Sequence, residues 1–418
     1  MKNILIISEP FYPQVAAIGQ LLTDLSEDLI NAGYKVKVIT GNPNNIFVKN
    51  NTIPRKEKYK GIEIIRLRNT IFSKYRMAGR ILNYLTFHFL VFSRVLFYER
   101  PDLVFVLSTP PFISFSGLML KILKKSKVIY NVQDLFPDLA VELGKLKNKL
   151  FIGFLKKLSV LIVRKVDKVV VVGEYMEKRI REELLREISE STSADDHIIT
   201  IHNWADGSKI KVLDDKDAED NYLKKKWGLE GKFVVLYSGN IGYLHEFDTI
   251  VAVAESLTKE GTREIVFVFI GEGIKKGYIE EKVKEKGLNN ILFFTYQPRE
   301  MLTYSLGLAD VSLVTLENGF EGMVVPSKIY GILASGKPVI AVVGRESEVT
   351  EIIKKGECGR VVKIGDHQAL ADSIMNYYKD RKKCRKDGLN GRRYFEKNFD
   401  RKIATKKYIE VIKEILKS

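Results

Sequence analysis

The sequence predicts an α/β protein with two doubly wound domains, each built around a mostly parallel β-sheet. Short runs rich in valine and isoleucine alternate with stretches of helical periodicity, an order typical of parallel strands joined by right-handed crossovers. This alternation gives way to a charged stretch near residues 205–230 and starts again at Phe233. A length of 418 residues also exceeds what one hydrophobic core normally needs. We therefore expect domains at residues 1–205 and 206–390, and a C-terminal helix over 391–418 that crosses back to the first domain.

In the first domain, the opening apolar run Ile4 to Ile7 predicts a buried strand. A helix is expected around Gly19 to Ala32, and it is followed by Gly33. Further short apolar runs predict four more strands, at Val36 to Thr40, Leu103 to Val106, Val128 to Asn131 and Val169 to Val172.

The second domain repeats this organisation and ends in a predicted helix. Its predicted strands are Phe233 to Gly239, Val266 to Gly271, Ile291 to Phe294, Val311 to Val314 and Val339 to Val343. The tail from Arg393 carries an apolar stripe that includes Ile403, Tyr408 and Ile412, which predicts the C-terminal helix.

Composition restricts the class of partner. The chain has 68 Lys and Arg against 52 Asp and Glu, a formal charge of +16, which favours polyanions, anionic lipid or phosphorylated small molecules. The two cysteines, Cys358 and Cys384, give no disulfide framework or zinc cluster, and a cytoplasmic location fits this. Basic residues are spread along the chain without an RNA-binding or DNA-binding motif, so we expect no nucleic-acid partner.

Two loops carry the strongest signal for a ligand. Ser238 to Gly242 follows a strand and precedes a predicted helix at Phe247 to Leu257, while residues 317–328 are rich in glycine and acid and lead into another helix. Ligands of open α/β sheets bind beyond the carboxyl ends of the strands, and helix N-termini favour phosphate groups. The two loops together predict a nucleotide site, whereas either loop alone could be a tight turn without a ligand.

Several segments together resemble family 4 retaining glycosyltransferases over essentially the whole chain. Ser8 to Pro13, with Ala16 to Gly19 behind it, is similar to the N-terminal loop of that family, and Gly33 to Thr40 and Ile201 to Asp206 also match. Asn131 to Asp138 and Val325 to Ala334 resemble the branch containing L-fucosamine and colanic-acid transferases. The resemblance implies the GT-B fold, in which two Rossmann-like domains face each other across a cleft.

The same resemblance implies a reaction. The enzyme would move a sugar from a nucleoside diphosphate donor, with UDP favoured over GDP, to a polyprenyl-diphosphate-linked or oligosaccharide acceptor with retention at the anomeric carbon. Such enzymes build O-antigen, capsule and exopolysaccharide, usually without a bound metal or cofactor. Two alternatives stay open, a nucleotide-sugar epimerase of the same fold and a catalytically silent nucleotide-sugar-binding paralogue.

This chain departs from the family pattern at charged positions. The two glutamates of the family signature fall on Met323 and Gly331, while Glu321 lies close enough to act in their place. The diphosphate-binding arginine and lysine of the family fall on Asn240 and His245. Charge neutralisation is then expected from Lys328, His245 and backbone amides.

Site residues are expected in three groups. The predicted catalytic residues are Asp134, Glu321 and Lys328; for Asp134 the alternative is a residue that caps the next turn. The predicted donor-binding residues are Gly239, Asn240, Gly242, His245, Gly271, Gln297, Gly322 and Ser327. Glu9 and Gly19 are expected on the acceptor side, and no metal ligands are expected.

A basic and apolar segment predicts contact with a membrane surface. Residues 81–98 are apolar and aromatic, with Arg66, Arg68, Lys74, Arg76 and Arg80 before them and Arg94 and Arg100 in or after them. Polar residues interrupt the run, so we expect no spanning helix. Its composition is that of an interfacial anchor on the cytoplasmic face of the plasma membrane. A core helix with a solvated basic face is the alternative.

Overall fold

The computed structural model describes residues 1–14, 16–43, 53–73, 77–185 and 197–417. The chain divides into two compact units. The first unit contains residues 1–202, 322–324 and 404–418, and the second contains residues 203–321 and 325–403. Each unit is an α/β structure built on one largely parallel sheet, so the predicted fold class is confirmed.

The sheet of the first unit has the strand order β3-β4-β2-β1-β5-β6-β7-β8 among the described residues. All pairs are parallel except β3 with β4, which is antiparallel. The strands are β1 (Asn3–Ser8), β2 (Lys35–Thr40), β3 (Lys56–Tyr59), β4 (Ile62–Arg66), β5 (Leu103–Leu107), β6 (Lys127–Val132), β7 (Lys168–Val171) and β8 (Ile198–Thr200). The helices are α1 (Ala17–Asn31), α2 (Met77–Leu96), α3 (Ser114–Lys124), α4 (Asp138–Glu142), α5 (Lys149–Lys165) and α6 (Glu174–Leu185).

The sheet of the second unit is wholly parallel, with the order β11-β10-β9-β12-β13-β14. Its strands are β9 (Phe233–Ser238), β10 (Ile265–Ile270), β11 (Ile291–Phe294), β12 (Val311–Thr315), β13 (Val339–Val342) and β14 (Gly359–Val362). The helices after β8 along the chain are α7 (Asp215–Glu219), α8 (Tyr222–Lys226), α9 (Asp248–Lys259), α10 (Lys276–Glu285), α11 (Leu302–Gly307), α12 (Lys328–Ala334), α13 (Glu348–Gly356), α14 (His367–Lys379), α15 (Arg381–Asn398) and α16 (Arg401–Lys417), and most of α16 belongs to the first unit.

Burial follows the composition of the strands. Every residue of β5, β10, β12 and β13 is buried, as expected for parallel strands covered on both faces. Aromatic side chains from Tyr237, Phe247, Phe267 and Tyr377 meet in the core of the second unit.

The C-terminal segment differs from the single helix predicted over 391–418. Phe399 and Asp400 separate α15 from α16, because Asp400 forms a β-bridge with Ala205 and the amide of Arg401 donates to the carbonyl of Ala205. Residues 391–403 therefore belong to the second unit, and residues 404–418 belong to the first. In the first unit, Asn131 Nδ2 donates to the Tyr408 hydroxyl at 2.8 Å.

Candidate functional site

The loops after β9 and β10 are joined by backbone hydrogen bonds beyond the ends of the strands. The amide of Gly239 donates to the carbonyl of Ile270, and the amide of Ile241 donates to the carbonyl of Glu272. Gly271 has φ +154°, and a Cβ there would collide with the carbonyl oxygen of Gly239. Gly271 is therefore required by the close approach of two backbones, a role that needs no ligand.

Lys328 is the most informative side chain of this region. It is the first residue of α12, and its Nζ lies 3.6 Å from the ring centroid of Tyr237. Among the described residues that Nζ is buried and has no hydrogen-bond partner. Burial lowers its pKa well below the ordinary lysine value. A buried amine without an acceptor is costly, so this position is suited to an anion.

Lys328 and the β9 loop lie close together. A Cβ placed on Gly239, which has φ +142°, would be 3.4 Å from Lys328 Nζ. The Tyr237 ring lies against the same amine, and its hydroxyl donates to the carbonyl of Asn240 at 2.7 Å. The structure therefore brings together Gly239, Asn240 and Lys328, three of the predicted site residues.

His245 lies in the same cluster but in a neutral form. Its Nδ1 is 2.8 Å from the carbonyl oxygen of Thr315, so Nδ1 carries the proton and Nε2 is left as an acceptor. Burial and the nearby Lys328 lower the pKa of His245 to about 3. The imidazole therefore does not supply the positive charge expected from the sequence, because a charged ring would be desolvated and close to an amine.

A second lysine ties the β9 loop to the β12 loop. Lys275 Nζ donates to the carbonyl oxygen of His245 and to Glu317 Oε1, both at 2.7 Å. The amide of Glu317 donates to the carbonyl of Leu244 at 2.9 Å. The two loops predicted to share a ligand are thus held together by a lysine whose charge is already paired.

The N-terminus of α9 differs from the expected phosphate site. Glu246 is 5% exposed, and its Oε1 accepts the amide of Thr249, in the first turn of α9, at 2.7 Å. Burial raises the pKa of this carboxyl. An acid already occupies the helix end where Gly242 was expected to admit a phosphate. The sequence signal was an acid just before the helix, and it was missed.

The remaining predicted residues of the second unit have local roles. Glu321 Oε2 accepts the amide of Gly319 at 2.8 Å, and its carboxylate rests against the Cα of Gly344, where a Cβ would collide with it. Gln297 Nε2 donates to the carbonyl of Thr295 at 2.9 Å. Ser327 is the N-cap of α12, but its side chain makes no capping hydrogen bond.

Gly322 belongs to the first unit, and its backbone has φ +70°. A Cβ on it would lie 3.1 Å from the carbonyl oxygen of Tyr175. Both the backbone conformation and this close contact favour glycine.

In the first unit, Asp134 lies at the start of the loop that joins β6 to α4. Thr109 Oγ1 donates to its Oδ2 at 3.2 Å, and the amide of Asp134 donates to Ser108 Oγ at 3.1 Å. Burial raises the pKa of the Asp134 carboxyl, and the hydrogen bond from Thr109 and the charge of Arg80 oppose that shift. Asp134 makes no helix-capping bond at α4, whose N-cap is Pro137. The capping alternative is therefore not observed at α4.

Glu9 lies in the loop after β1, and Gly19 lies in the first turn of α1 behind that loop. The carbonyl of Glu9 accepts the Thr40 hydroxyl at 2.9 Å, and the negative charge of Glu9 contributes to raising the pKa of Tyr84. Asp134 acts on the same tyrosine, so Glu9, Tyr84 and Asp134 share one electrostatic environment. Gly19 is buried in α1 and faces the backbone of the preceding loop.

A groove of about 580 Å³ lies elsewhere in the first unit, between the β3-β4 hairpin and the end of α2. Lys37 in this groove pairs with Glu63 and Glu99. Within the described residues, no group of three or more His, Cys, Asp or Glu side chains is arranged to hold a metal ion. None of the described helices combines the length and apolarity needed to cross a membrane.

Comparison with known proteins identifies the family. Residues 18–189 match the family described as Glycosyltransferase Family 4, and residues 219–394 match the family described as Glycosyl transferases group 1. The glycosyltransferase WbjE of Pseudomonas aeruginosa is 27% identical over 76% of each chain. WcaI of Escherichia coli, named as a colanic acid biosynthesis glycosyl transferase, is 25% identical over 80% of this chain and 81% of its own.

A solved structure of Anabaena HepE in complex with UDP and glucose has a similar fold. It superposes with a TM-score of 0.71 at 16% identity and covers 99% of this chain and 100% of HepE. The two family matches together span most of the chain, one in each unit. The chain therefore belongs to the family 4 and group 1 glycosyltransferases and has the GT-B fold.

Proposed function

We propose that this glycosyltransferase moves a sugar from a UDP-sugar to a polyprenyl-diphosphate-linked or oligosaccharide acceptor in surface polysaccharide synthesis. The transfer retains the anomeric configuration and uses no metal ion. The observation that carries this proposal is the buried, unpaired amine of Lys328 beside Gly239. HepE, which has a similar fold, binds UDP and glucose, and WcaI is named for colanic acid synthesis.

The chemistry requires stabilisation of the leaving diphosphate. As the bond to the sugar breaks, negative charge grows on the phosphate oxygens, and a preorganised cation in a poorly solvated site lowers the barrier. Lys328 is held by the Tyr237 ring and has no competing carboxylate among the described residues. Binding of the diphosphate would favour the ammonium form and so supply the charge where it is needed.

His245 and Glu321 take supporting roles in this proposal. The neutral imidazole offers Nε2 as an acceptor for a sugar hydroxyl, because its Nδ1 proton is committed to Thr315. Glu321 is engaged by the Gly319 amide, so it would have to leave that contact to replace a missing signature glutamate. We therefore assign the ribose to Ser327, whose hydroxyl does not cap α12.

On the acceptor side, we propose that Asp134 accepts a hydrogen bond from the attacking hydroxyl or orients it. A carboxylate in a poorly solvated position is a better acceptor than one in water. Arg80 and Tyr84 stand nearby, with Arg80 Nε donating to the Tyr84 hydroxyl at 3.1 Å. These groups would position the acceptor together with Glu9.

The test is calorimetric binding of UDP, GDP and their sugar conjugates, with and without EDTA. We expect UDP to bind with EDTA present, and Lys328→Met to weaken it by about 10- to 100-fold, since a buried charge-assisted contact is lost. Lys337→Met is the matched control, because burial also lowers the pKa of Lys337 in the same unit. Equal loss in both variants would refute the assignment of Lys328.

Retention is tested separately by NMR. Slow hydrolysis of the UDP-sugar should first release the sugar in the anomeric form that it has in the donor. First release of the opposite anomer would refute a retaining mechanism. Loss of activity with EDTA, restored by a divalent cation, would refute the metal-independent reaction.

A further inference from the structure

Exposed large apolar side chains are concentrated on three helices of the first unit. Phe89 of α2 is 71% exposed, Ile122 of α3 is 78% exposed, and Leu150 of α5 is 88% exposed. By contrast, the described large hydrophobic residues that are exposed in the second unit are Val212 and four tyrosines. A concentration of aliphatic and phenyl groups on one part of a surface indicates a binding face.

Topology places these three helices side by side. α2 leads to β5, α3 links β5 to β6, and α5 precedes β7, and each connection moves in the same direction across the parallel sheet. Right-handed crossovers in one direction put their helices on one face of a sheet. Consistent with this, α3 packs against both α2 and α5. We call the outer surface of α2, α3 and α5 the three-helix face.

The charge of the three-helix face is of one sign. None of the three helices contains an Asp or Glu, although together they carry nine Lys and Arg residues. Lys149, Lys157, Arg164 and Lys165 on α5 are exposed. Acids that face these helices from neighbouring elements are Asp167, which pairs with Lys121, and Asp138 and Glu183, which both pair with Lys156. The exposed basic residues lie on the same helices as the exposed apolar groups.

This arrangement corrects the basic set expected from the sequence. Arg66 is buried and pairs with Glu57 at 2.6 Å, and Arg80 donates to the Tyr84 hydroxyl. Lys74 and Arg76 lie outside the described residues. The exposed cations of the three helices include Lys149, Lys157 and Lys165 on α5 and Arg94 on α2, while Arg68 and Arg100 are exposed outside these helices.

We propose that the three-helix face docks onto an anionic lipid bilayer, and this rests on the proposed use of a lipid-linked acceptor. Apolar side chains enter the headgroup region while the Lys and Arg side chains reach phosphate groups. Anionic lipid is favoured over a protein partner by the absence of any acid on three adjacent helices. The helices lie on the surface of a folded unit, so the attachment is peripheral.

The test is flotation of the full chain with vesicles of phosphatidylcholine alone or with phosphatidylglycerol added. We expect binding only with the anionic lipid, weakened by high salt. Lys149→Gln, Lys157→Gln and Lys165→Gln together should weaken it by about 100-fold or more, since each cation near such a surface contributes about a fivefold factor. A second variant, Phe89→Gln with Leu150→Gln, should weaken binding at least about tenfold.

A matched control removes the same charge from the second unit. Lys382→Gln, Lys386→Gln and Lys397→Gln change three exposed lysines of α15 and should leave flotation within about twofold of the wild type. Equal losses in the control and the α5 variant would overturn the proposal, as would equal binding to both vesicle types. It would also be overturned if the apolar variant abolished a dimer in light scattering while flotation was unchanged.

UDP binding is measured on every variant. Intact UDP binding with no flotation rejects the three-helix face alone, since the donor residues are then shown to be folded. Flotation without binding of any nucleotide rejects the proposed donor site alone. Loss of both flotation and UDP binding in a variant with an altered circular dichroism spectrum identifies misfolding. The single substitutions Phe89→Gln and Leu150→Gln then test whether the three-helix face binds the vesicles.

Discussion

Because the folded protein holds His245 in a neutral form, we expect the stability of the second unit to depend on pH. The pKa of this imidazole falls from 6.5 to about 3 on folding, with burial as the first cause and the charge of Lys328 as the second. Between those pH values the unfolded chain binds a proton that the folded chain excludes. Stability of the second unit therefore decreases as the pH falls through this window. If the whole pKa shift acted on stability, the free energy of unfolding would fall by about 2 kcal/mol at about pH 5. Because solvent reaches the partly buried ring, we expect a loss of roughly 1–2 kcal/mol.

The informative substitution is His245→Asn. The asparagine Nδ2 can replace Nδ1 as donor to the Thr315 carbonyl, but it does not titrate. Both tryptophans, Trp204 and Trp227, belong to the second unit, so urea unfolding followed by tryptophan fluorescence reports on that unit. We expect the wild type to lose about 1–2 kcal/mol more than the variant between about pH 7.5 and about pH 5.

Two controls decide the interpretation. Glu246, beside His245, has a raised pKa and contributes with the opposite sign, but it is present in both proteins and cancels in the difference. His367→Asn removes an exposed imidazole of the same unit and should leave the pH profile unchanged. Parallel profiles for the wild type and His245→Asn would refute the claim that folding holds the ring neutral.

Three further predictions follow from single contacts. When UDP binds at about pH 8, we expect the protein to take up as much as about one proton from solution, because the diphosphate raises the lowered pKa of Lys328. Calorimetry in buffers of different ionisation enthalpy measures this uptake. Proton uptake that persists in Lys328→Met would contradict the prediction. Gly271→Ala should destabilise the second unit by about 2–4 kcal/mol, because the alanine Cβ would collide with the Gly239 carbonyl and the residue has φ +154°. Unfolding followed by tryptophan fluorescence measures this, and a loss below about 0.5 kcal/mol would refute it. Tyr408→Phe should cost about 1 kcal/mol by leaving Asn131 Nδ2 without its 2.8 Å partner, and hydrogen exchange of β6 amides measures this; unchanged exchange would refute it.

The strands that sequence could predict were the buried ones. Hydrophobic runs such as those at β9 and β10 are visible because both faces of a parallel strand are covered. The hairpin strand β3, with the sequence KEKY, was missed because an exposed edge strand needs no apolar run. β8 has three residues, and β14 begins at Gly359, whose missing Cβ allows close approach to the carbonyl of Val339.

The sequence located the loops of the candidate site, but it did not predict the protonation states of their side chains. Residue order places Gly239, His245 and Lys328 near strand ends, and the structure gathers them in one cluster. Burial, however, decides protonation, and burial at a loop depends on contacts from distant segments. The neutral ring of His245 could not be derived from spacing alone.

The position of Lys328 accounts for two departures from the family pattern. Asn240 and His245 replace a pair of cations, so the β9 loop itself carries no positive charge in the folded protein. At Gly331, a Cβ would lie 3.5 Å from Leu306 and 4.0 Å from Ile210, so a glutamate there would start among apolar side chains. Within the described residues the buried amine of Lys328 has no hydrogen-bond partner, and once protonated it has the opposite sign from the phosphate it is proposed to meet. The cost of charging it in a poorly solvated position is offset when a diphosphate binds, so we expect donor affinity to depend on this lysine more than on any loop residue.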